Sequence, residues 1–175
     1  EPDYLSRSYA VQYSNRMAAD TLILNTGLSL QDDSVKNFGG NFVDKKTPSL
    51  SAGITRILDK FTNISFNFTY SFPNGYLSDP YKLVPANQRF TFIPKEVFLF
   101  EENRPNEREI FIFYTELSRY FEKLKVGAHL SYRFFKDDHQ LSGHTIDFEA
   151  NRRIGEQWVI SPHYRFYHQN QASFY

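Results

Sequence analysis

The sequence predicts an all-β chain folded as an antiparallel transmembrane β-barrel. Three observations carry that expectation: strict two-residue alternation in several segments, links that alternate between short and long, and charge repeatedly placed on the face opposite the aromatic residues. About eight strands are visible, most near the ~9 to 11 residues that a tilted strand needs to cross a bilayer. Residues 1–175 read as a single domain, which a longer protein can extend, with 73–108 as a long external loop or plug.

Near the start, Tyr9, Val11 and Tyr13 oppose Ala10, Gln12 and Ser14. Then Leu22, Leu24, Leu28 and Leu30 oppose Asn25, Gly27, Ser29 and Gln31, and Leu50, Ala52 and Ile54 continue the series. Residues 62–72 alternate most cleanly, with Ile64, Phe66, Phe68, Tyr70 and Phe72 interleaved with Ser65, Asn67, Thr69 and Ser71. Successive side chains of a strand point to opposite faces, so one face here is apolar and the other small and polar. Residues 110–114 are apolar on both faces and leave the register open, although Glu116 suggests that Phe111, Phe113, Thr115 and Leu117 face outward. Residues 124–134 put Leu124, Val126, Ala128, Leu130, Tyr132 and Phe134 on one face and Lys125, Gly127, His129, Ser131 and Arg133 on the other. Ile146, Phe148 and Ala150 alternate with Thr145, Asp147 and Glu149. Finally Trp158, Ile160, Pro162, Tyr164 and Phe166 alternate with Ser161, His163 and Arg165.

Short turns are expected at Ala18-Ala19-Asp20, Asp59-Lys60, Glu122-Lys123 and Gly155-Glu156, and longer polar links at 32–46, 73–108 and 136–140. Outer-membrane barrels have this asymmetry, with tight periplasmic turns and longer external loops. The 73–108 link carries Phe90, Phe92, Ile93, Val97, Phe98 and Phe100 and is too long for a bare hairpin, which points to a folded or functional segment.

A soluble barrel also alternates, so the polarity of the faces decides between water and lipid. Burying Lys125, Arg133, Asp147, Glu149 and Arg165 unpaired in a dry core would cost several kcal/mol each. Aromatics in lipid and charges in a hydrated lumen remove that cost. Tyr70, Phe72, Tyr132, Phe134, Tyr164 and Phe166 are expected near the long-loop ends of their strands, as an interfacial girdle. The lumen-lining set is then Lys125, His129, Arg133, Asp147, Glu149, His163 and Arg165, most simply an ion-pair ladder and alternatively an ion or proton pathway.

Composition excludes several classes. Twenty basic residues balance twenty acidic ones, which removes the basic excess of a nucleic-acid binder. Aromatic residues make up 18% of the chain, a bias toward strands. There is no cysteine, hence no disulfide framework or thiolate metal site. No apolar run reaches the length of a membrane-crossing helix. Glu1-Pro2-Asp3 carries no secretory signal, so the chain reads as a processed or partial product.

Catalytic motifs are absent: there is no GxSxG, HExxH, phosphate-binding loop or dinucleotide fingerprint, and no cofactor is implied. Asp137, Asp138 and His139 are weak candidates for a cation site at a loop, because carboxylates and imidazole are suitable ligands. A solvated hairpin tip accounts for them more simply. Ser142 near His144 is the one local pair to test for a barrel hydrolase.

Gly75-Tyr76-Leu77-Ser78-Asp79-Pro80-Tyr81-Lys82, then Arg104-Pro105, then Ser131-Tyr132-Arg133-Phe134-Phe135-Lys136-Asp137-Asp138, and finally Tyr164-Arg165-Phe166-Tyr167 with Phe174-Tyr175 resemble the DUF3570 family of Gram-negative proteins. The resemblance spans 49–175, while residues 1–46 match it in pattern alone. It implies an outer-membrane barrel with further strands, and it marks Asp79, Tyr81 and Arg104 within the loop or plug. It implies no catalytic residue. The expectation is a non-enzymatic protein of the bacterial outer membrane, either a porin-like channel for small solutes or a scaffold in an envelope complex. Its partners would be outer-membrane lipids and, for a scaffold, other envelope proteins or a lipoprotein. An outer-membrane hydrolase and a soluble lipid-binding barrel are the alternatives.

Overall fold

The structure is a computed structural model that describes residues 3–37, 39–79, 81–87, 97–102 and 104–173. Phe90, Phe92 and Ile93 of the long link, Pro80 of the quoted motif and Phe174-Tyr175 lie outside the described residues. The described chain is all β: β1 (Tyr4–Met17), β2 (Leu22–Lys36), β3 (Phe42–Asp59), β4 (Thr62–Ser71), β5 (Asn74–Gly75), β6 (Leu83–Asn87), β7 (Val97–Glu101), β8 (Ile110–Phe121), β9 (Val126–Asp137), β10 (Ser142–Ile154), β11 (Trp158–Ile160) and β12 (His163–Gln169).

One antiparallel sheet of ten strands runs β1-β2-β3-β4-β8-β9-β10-β11, with β12 also on β10 and β5 on β3; β6 and β7 form a separate hairpin. β11 and β12 pair with successive stretches of β10, so they form one stave interrupted at Ser161-Pro162. Proline supplies no N–H to the ladder, yet its carbonyl still accepts from Ala150 N–H at 3.1 Å. Eight staves result, in sequence order across the sheet.

The sheet is open. β1 pairs with β2 alone, and β11 and β12 with β10 alone, so the closure expected of a barrel is not present among the described residues. Alternation dictates which face a side chain takes. It says nothing of shear or of how a first strand meets a last one.

Registers convert alternation into rows. One row crosses the whole sheet as Tyr13, Thr26, Ala52, Phe68, Phe113, Phe134, His144 and His168. Two rows toward the short turns on the same face continue it as Asn15, Leu24, Ile54, Phe66, Thr115, Tyr132, Ile146 and Phe166, then Met17, Leu22, Arg56, Ile64, Leu117, Leu130, Phe148 and Tyr164. On the loop side lie Val11, Leu28, Leu50, Tyr70 and Phe111, then Tyr9, Leu30 and Pro48. The five rows make a largely apolar band, about 27 Å long across β1–β3 at about 6.8 Å per row and shorter toward β12, where Lys136 follows Phe111 in the fourth row. Glu116 lies on the opposite face, so Phe111, Phe113, Thr115 and Leu117 share the face of the apolar rows.

Among the described residues nothing covers this band. Val35 and Ala172 are the only buried hydrophobic residues among those described, while Val11 is 75% exposed and Tyr164 64%. Ring contacts across β4 and β8, such as Phe68–Phe113 at 5.0 Å, tie neighbours within the layer without hiding them.

Two expected features are corrected. Residues 32–46 are strand rather than a long link, and the connection shortens to 37–41. Opposite charges sit directly across β2 and β3, as Asp32 against Lys46 and Asp33 against Lys45, and they stabilise a ladder in water as well as apolar pairs do in lipid. Asp33, with a fully buried side chain, accepts from Gln31 Nε2 at 3.0 Å and meets Lys45 Nζ at 3.3 Å. Second, the aromatic girdle is split. Tyr70 stands toward the loops, whereas Tyr164 falls in the turn-side row, opposite Phe148.

The short turns are where the sequence places them. Ala18, Ala19 and Asp20 take left-handed backbone angles, as tight hairpins demand. In the 60–61 turn, beyond the apolar rows, Asp59 accepts Phe61 N–H at 2.7 Å, and that bond holds its carboxyl below the usual carboxylate range.

The 73–108 excursion returns along itself. Gly75 N–H donates to Asn106 carbonyl oxygen at 2.8 Å and Arg108 N–H to that of Pro73 at 3.0 Å, while β5 adds to β3 through Lys45–Gly75 and Lys46–Asn74. Gly75 is required here. Its φ is +111°, and a Cβ would run into the Asp44 backbone. Gly75→Ala is expected to destabilise this junction by more than about 1 kcal/mol, read as faster tryptic cleavage after Lys82. Unchanged cleavage would refute the docking.

Candidate functional site

The polar face gathers its charge over β8, β9, β10 and β12. Across β1 to β4 the equivalent positions are small: Gln12, Gly27, Ser51 and Thr69 form one row, and Ser14, Asn25, Gly53 and Asn67 the next. Toward β12 the rows become Tyr114–Arg133–Thr145–Tyr167, then Glu116–Ser131–Asp147–Arg165, then Ser118–His129–Glu149–His163. Of these last three rows, every side chain except Ser118 lines a polar recess of about 870 Å³.

Within it the charges are mostly spoken for. Asp147 Oδ1 accepts from Arg165 Nε at 2.7 Å and His163 Nε2 at 2.9 Å. Glu116 accepts from the Tyr114 hydroxyl at 2.7 Å and from Ser118 Oγ at 2.9 Å, and His129 Nδ1 lies 3.0 Å from Ser118 Oγ and 3.7 Å from Glu116 Oε1. Glu149 accepts from Asn151 Nδ2 at 2.6 Å. The arrangement can solvate and order a polar solute.

Of the seven side chains expected to line a lumen, six meet here: His129, Arg133, Asp147, Glu149, His163 and Arg165. Lys125 does not. It occupies the turn before β9 at a φ of +52°, so the strand expected from Leu124 starts at Val126. Tyr114, Glu116, Ser131, Thr145 and Tyr167 also line the recess and are not in the expected set. Tyr114 sits in a run that is apolar on both faces, and its hydroxyl becomes visible as a polar group only once the register is known.

The cation candidates have other partners. Asp137, whose side chain is fully buried, takes Arg108 Nε at 2.8 Å and Nη2 at 2.5 Å on Oδ2, and Leu141 N–H at 2.8 Å on Oδ1. His139 Nε2 donates to the Glu107 carbonyl at 3.1 Å and lies 3.7 Å from Asp138. No group of three or more His, Cys, Asp or Glu side chains converges among the described residues. Ser142 and His144 share the apolar face, where His144 Nδ1 is 2.8 Å from the Tyr132 hydroxyl.

The loop residues pair among themselves at the loop end of the sheet. Glu102, buried, receives Lys82 Nζ at 2.7 Å, Arg104 Nη2 at 3.0 Å and Asp79 N–H at 3.3 Å. Arg104 N–H donates to Ser78 Oγ at 2.9 Å, and Tyr81 N–H to Asp79 Oδ1 at 2.9 Å. A second cavity of about 640 Å³ lies between this cap and the ends of β1, β2, β3 and β8, with Tyr4, Tyr76, Tyr81 and Arg108 on its walls. Glu102 and Arg108 were not singled out from the sequence, because a charge in a polar segment looks solvated until its partner is known.

Residues 42–175 match the family described as protein of unknown function (DUF3570). The chain belongs to this family. No curated protein and no solved structure matches it. The DUF3570 match takes in the cap, the Arg108–Asp137 pair and every strand of the charged recess, so the candidate site is built wholly within it.

Proposed function

We propose that this chain is part of a transmembrane β-barrel of the bacterial outer membrane, without catalytic activity, that conducts small polar solutes along its charged face. One observation carries the reading: the sheet separates a five-row apolar band, almost entirely uncovered, from a polar face that holds the recess. In water such a band would be a large exposed apolar patch, far beyond the few hundred Å² usual for soluble monomers. In lipid it needs no cover, and the charges on the other face need a hydrated lumen.

Closure follows the same logic. An open edge cannot face hydrocarbon, because each unpaired N–H and C=O there costs several kcal/mol. β1 therefore needs a partner, and so does the β11–β12 stave. With eight staves the two edges run in opposite directions, so a ladder joining them, directly or through further pairs of strands, stays antiparallel.

A scaffold is the second reading, favoured by the folded 73–108 cap, which places Glu102, Lys82 and Arg104 over the loop end. Planar-bilayer recording of the full protein separates the two. Discrete, salt-dependent conductance steps are expected for a channel. A silent bilayer together with stoichiometric copurification of an envelope protein would replace that reading with the scaffold, and recovery in the aqueous fraction without detergent would overturn the membrane assignment itself.

A further inference from the structure

We infer that Arg133 is the centre of an oxyanion-binding site on the polar face, taking the carboxylate or phosphate group of a small solute. The inference rests on the reading of this face as a hydrated lumen and adds the chemical class of what enters it.

The row that contains Arg133 crosses all eight staves as Ser14, Asn25, Gly53, Asn67, Tyr114, Arg133, Thr145 and Tyr167. Arg133 is its only charge. The carboxylates of the adjoining row do not reach it. Glu116 is held by Tyr114 and Ser118, and Asp147 by Arg165 and His163. Farther along, Glu149 pairs with Asn151. Among the described residues Arg133 thus has no carboxylate partner, although three carboxylates line the same recess.

One neighbour suits an anion: Thr145 stands directly across the ladder, while Tyr114, across on the other side, and Tyr167, one stave farther, already donate to Glu116 and Gln169. Adjacent staves are about 4.8 Å apart, so the Thr145 hydroxyl lies within the reach of an oxyanion seated on the guanidinium. A guanidinium presents a planar fork of donors that fits carboxylate and phosphate oxygens in pairs. The recess, at about 870 Å³, has room for a small organic acid or phosphate ester.

The test is isothermal titration of the full-length protein in detergent, with sodium acetate in one arm and inorganic phosphate in the other. Saturable binding is expected in at least one arm, the tighter arm identifying the group, and Arg133→Gln is expected to weaken it at least about ten-fold. Arg133→Lys, which keeps the charge and loses the fork, should fall between, and Lys125→Gln, a turn cation outside the recess, should bind as the parent does. Strand content by circular dichroism verifies that each variant is folded. No saturable binding in either arm, equal binding by Arg133→Gln, or equal loss in Lys125→Gln overturns the inference. None of these depends on conductance, so a silent bilayer leaves the site to be judged on binding, and a conducting protein without binding retains the channel and loses the site.

Discussion

Arg108→Ala is expected to lower the unfolding free energy by about 3 kcal/mol, because removing one member of a buried ion pair leaves the other charged and unsolvated. Asp137 has a fully buried side chain and receives two bonds from the Arg108 guanidinium, which is itself one quarter exposed. The pair joins the base of the 73–108 excursion to the end of β9, and the loss should loosen both. Denaturant unfolding in detergent micelles measures it. Arg108→Lys, which keeps the charge without the fork, should recover part of the loss, while Lys60→Ala, at the exposed Lys60–Glu122 pair, should change stability by less than about 1 kcal/mol. An Arg108→Ala protein within about 1 kcal/mol of the parent would mean that the clasp contributes little.

The second large effect separates lipid from water. Ala52 lies in the central row of the apolar band and Thr55 on the polar face of the same strand. Ala52→Arg is expected to cost about 2–4 kcal/mol on folding into phospholipid vesicles, the figure for a cation at the bilayer midplane, with Thr55→Arg close to neutral. If the apolar face is solvated instead, Ala52→Arg is an exposed surface change worth no more than about 0.5 kcal/mol. Equal behaviour of the two variants would sink the membrane reading. The choice of alanine keeps lost packing out of the comparison, since little side chain is removed.

The two predictions draw on different layers of information, and the difference appears at particular residues. The facing of Ile64, Phe66 and Phe68 is legible in the sequence because the period of a strand is two and a single exception would break the pattern. Lys125 is legible in the same way and is nonetheless misplaced. Alternation continues on paper through a residue that the chain uses to turn. Asp32 and Asp33 fail in the opposite sense: polarity suggested a loop, and pairing with Lys46 and Lys45 made a strand. Asp137 looked like a ligand because its neighbours in sequence are Asp138 and His139, whereas its partner Arg108 comes from an element 29 residues away.

The sequence by itself determined the all-β class, the two unlike faces, the positions of the tight turns and six of the side chains in the charged recess. These depend on local chemistry, on side-chain alternation and on turn residues, which neighbouring positions settle among themselves. Only the tertiary structure decided which rows adjoin, that Arg133 has no carboxylate partner among the described residues while Asp147 is shared by Arg165 and His163, that the 73–108 excursion folds back onto β3, and that the eight staves form an open sheet. Each of these is a relation between distant residues. It is set by register, by shear and by the desolvation of charges against partners far along the chain, none of which leaves a periodic trace in the order of the amino acids.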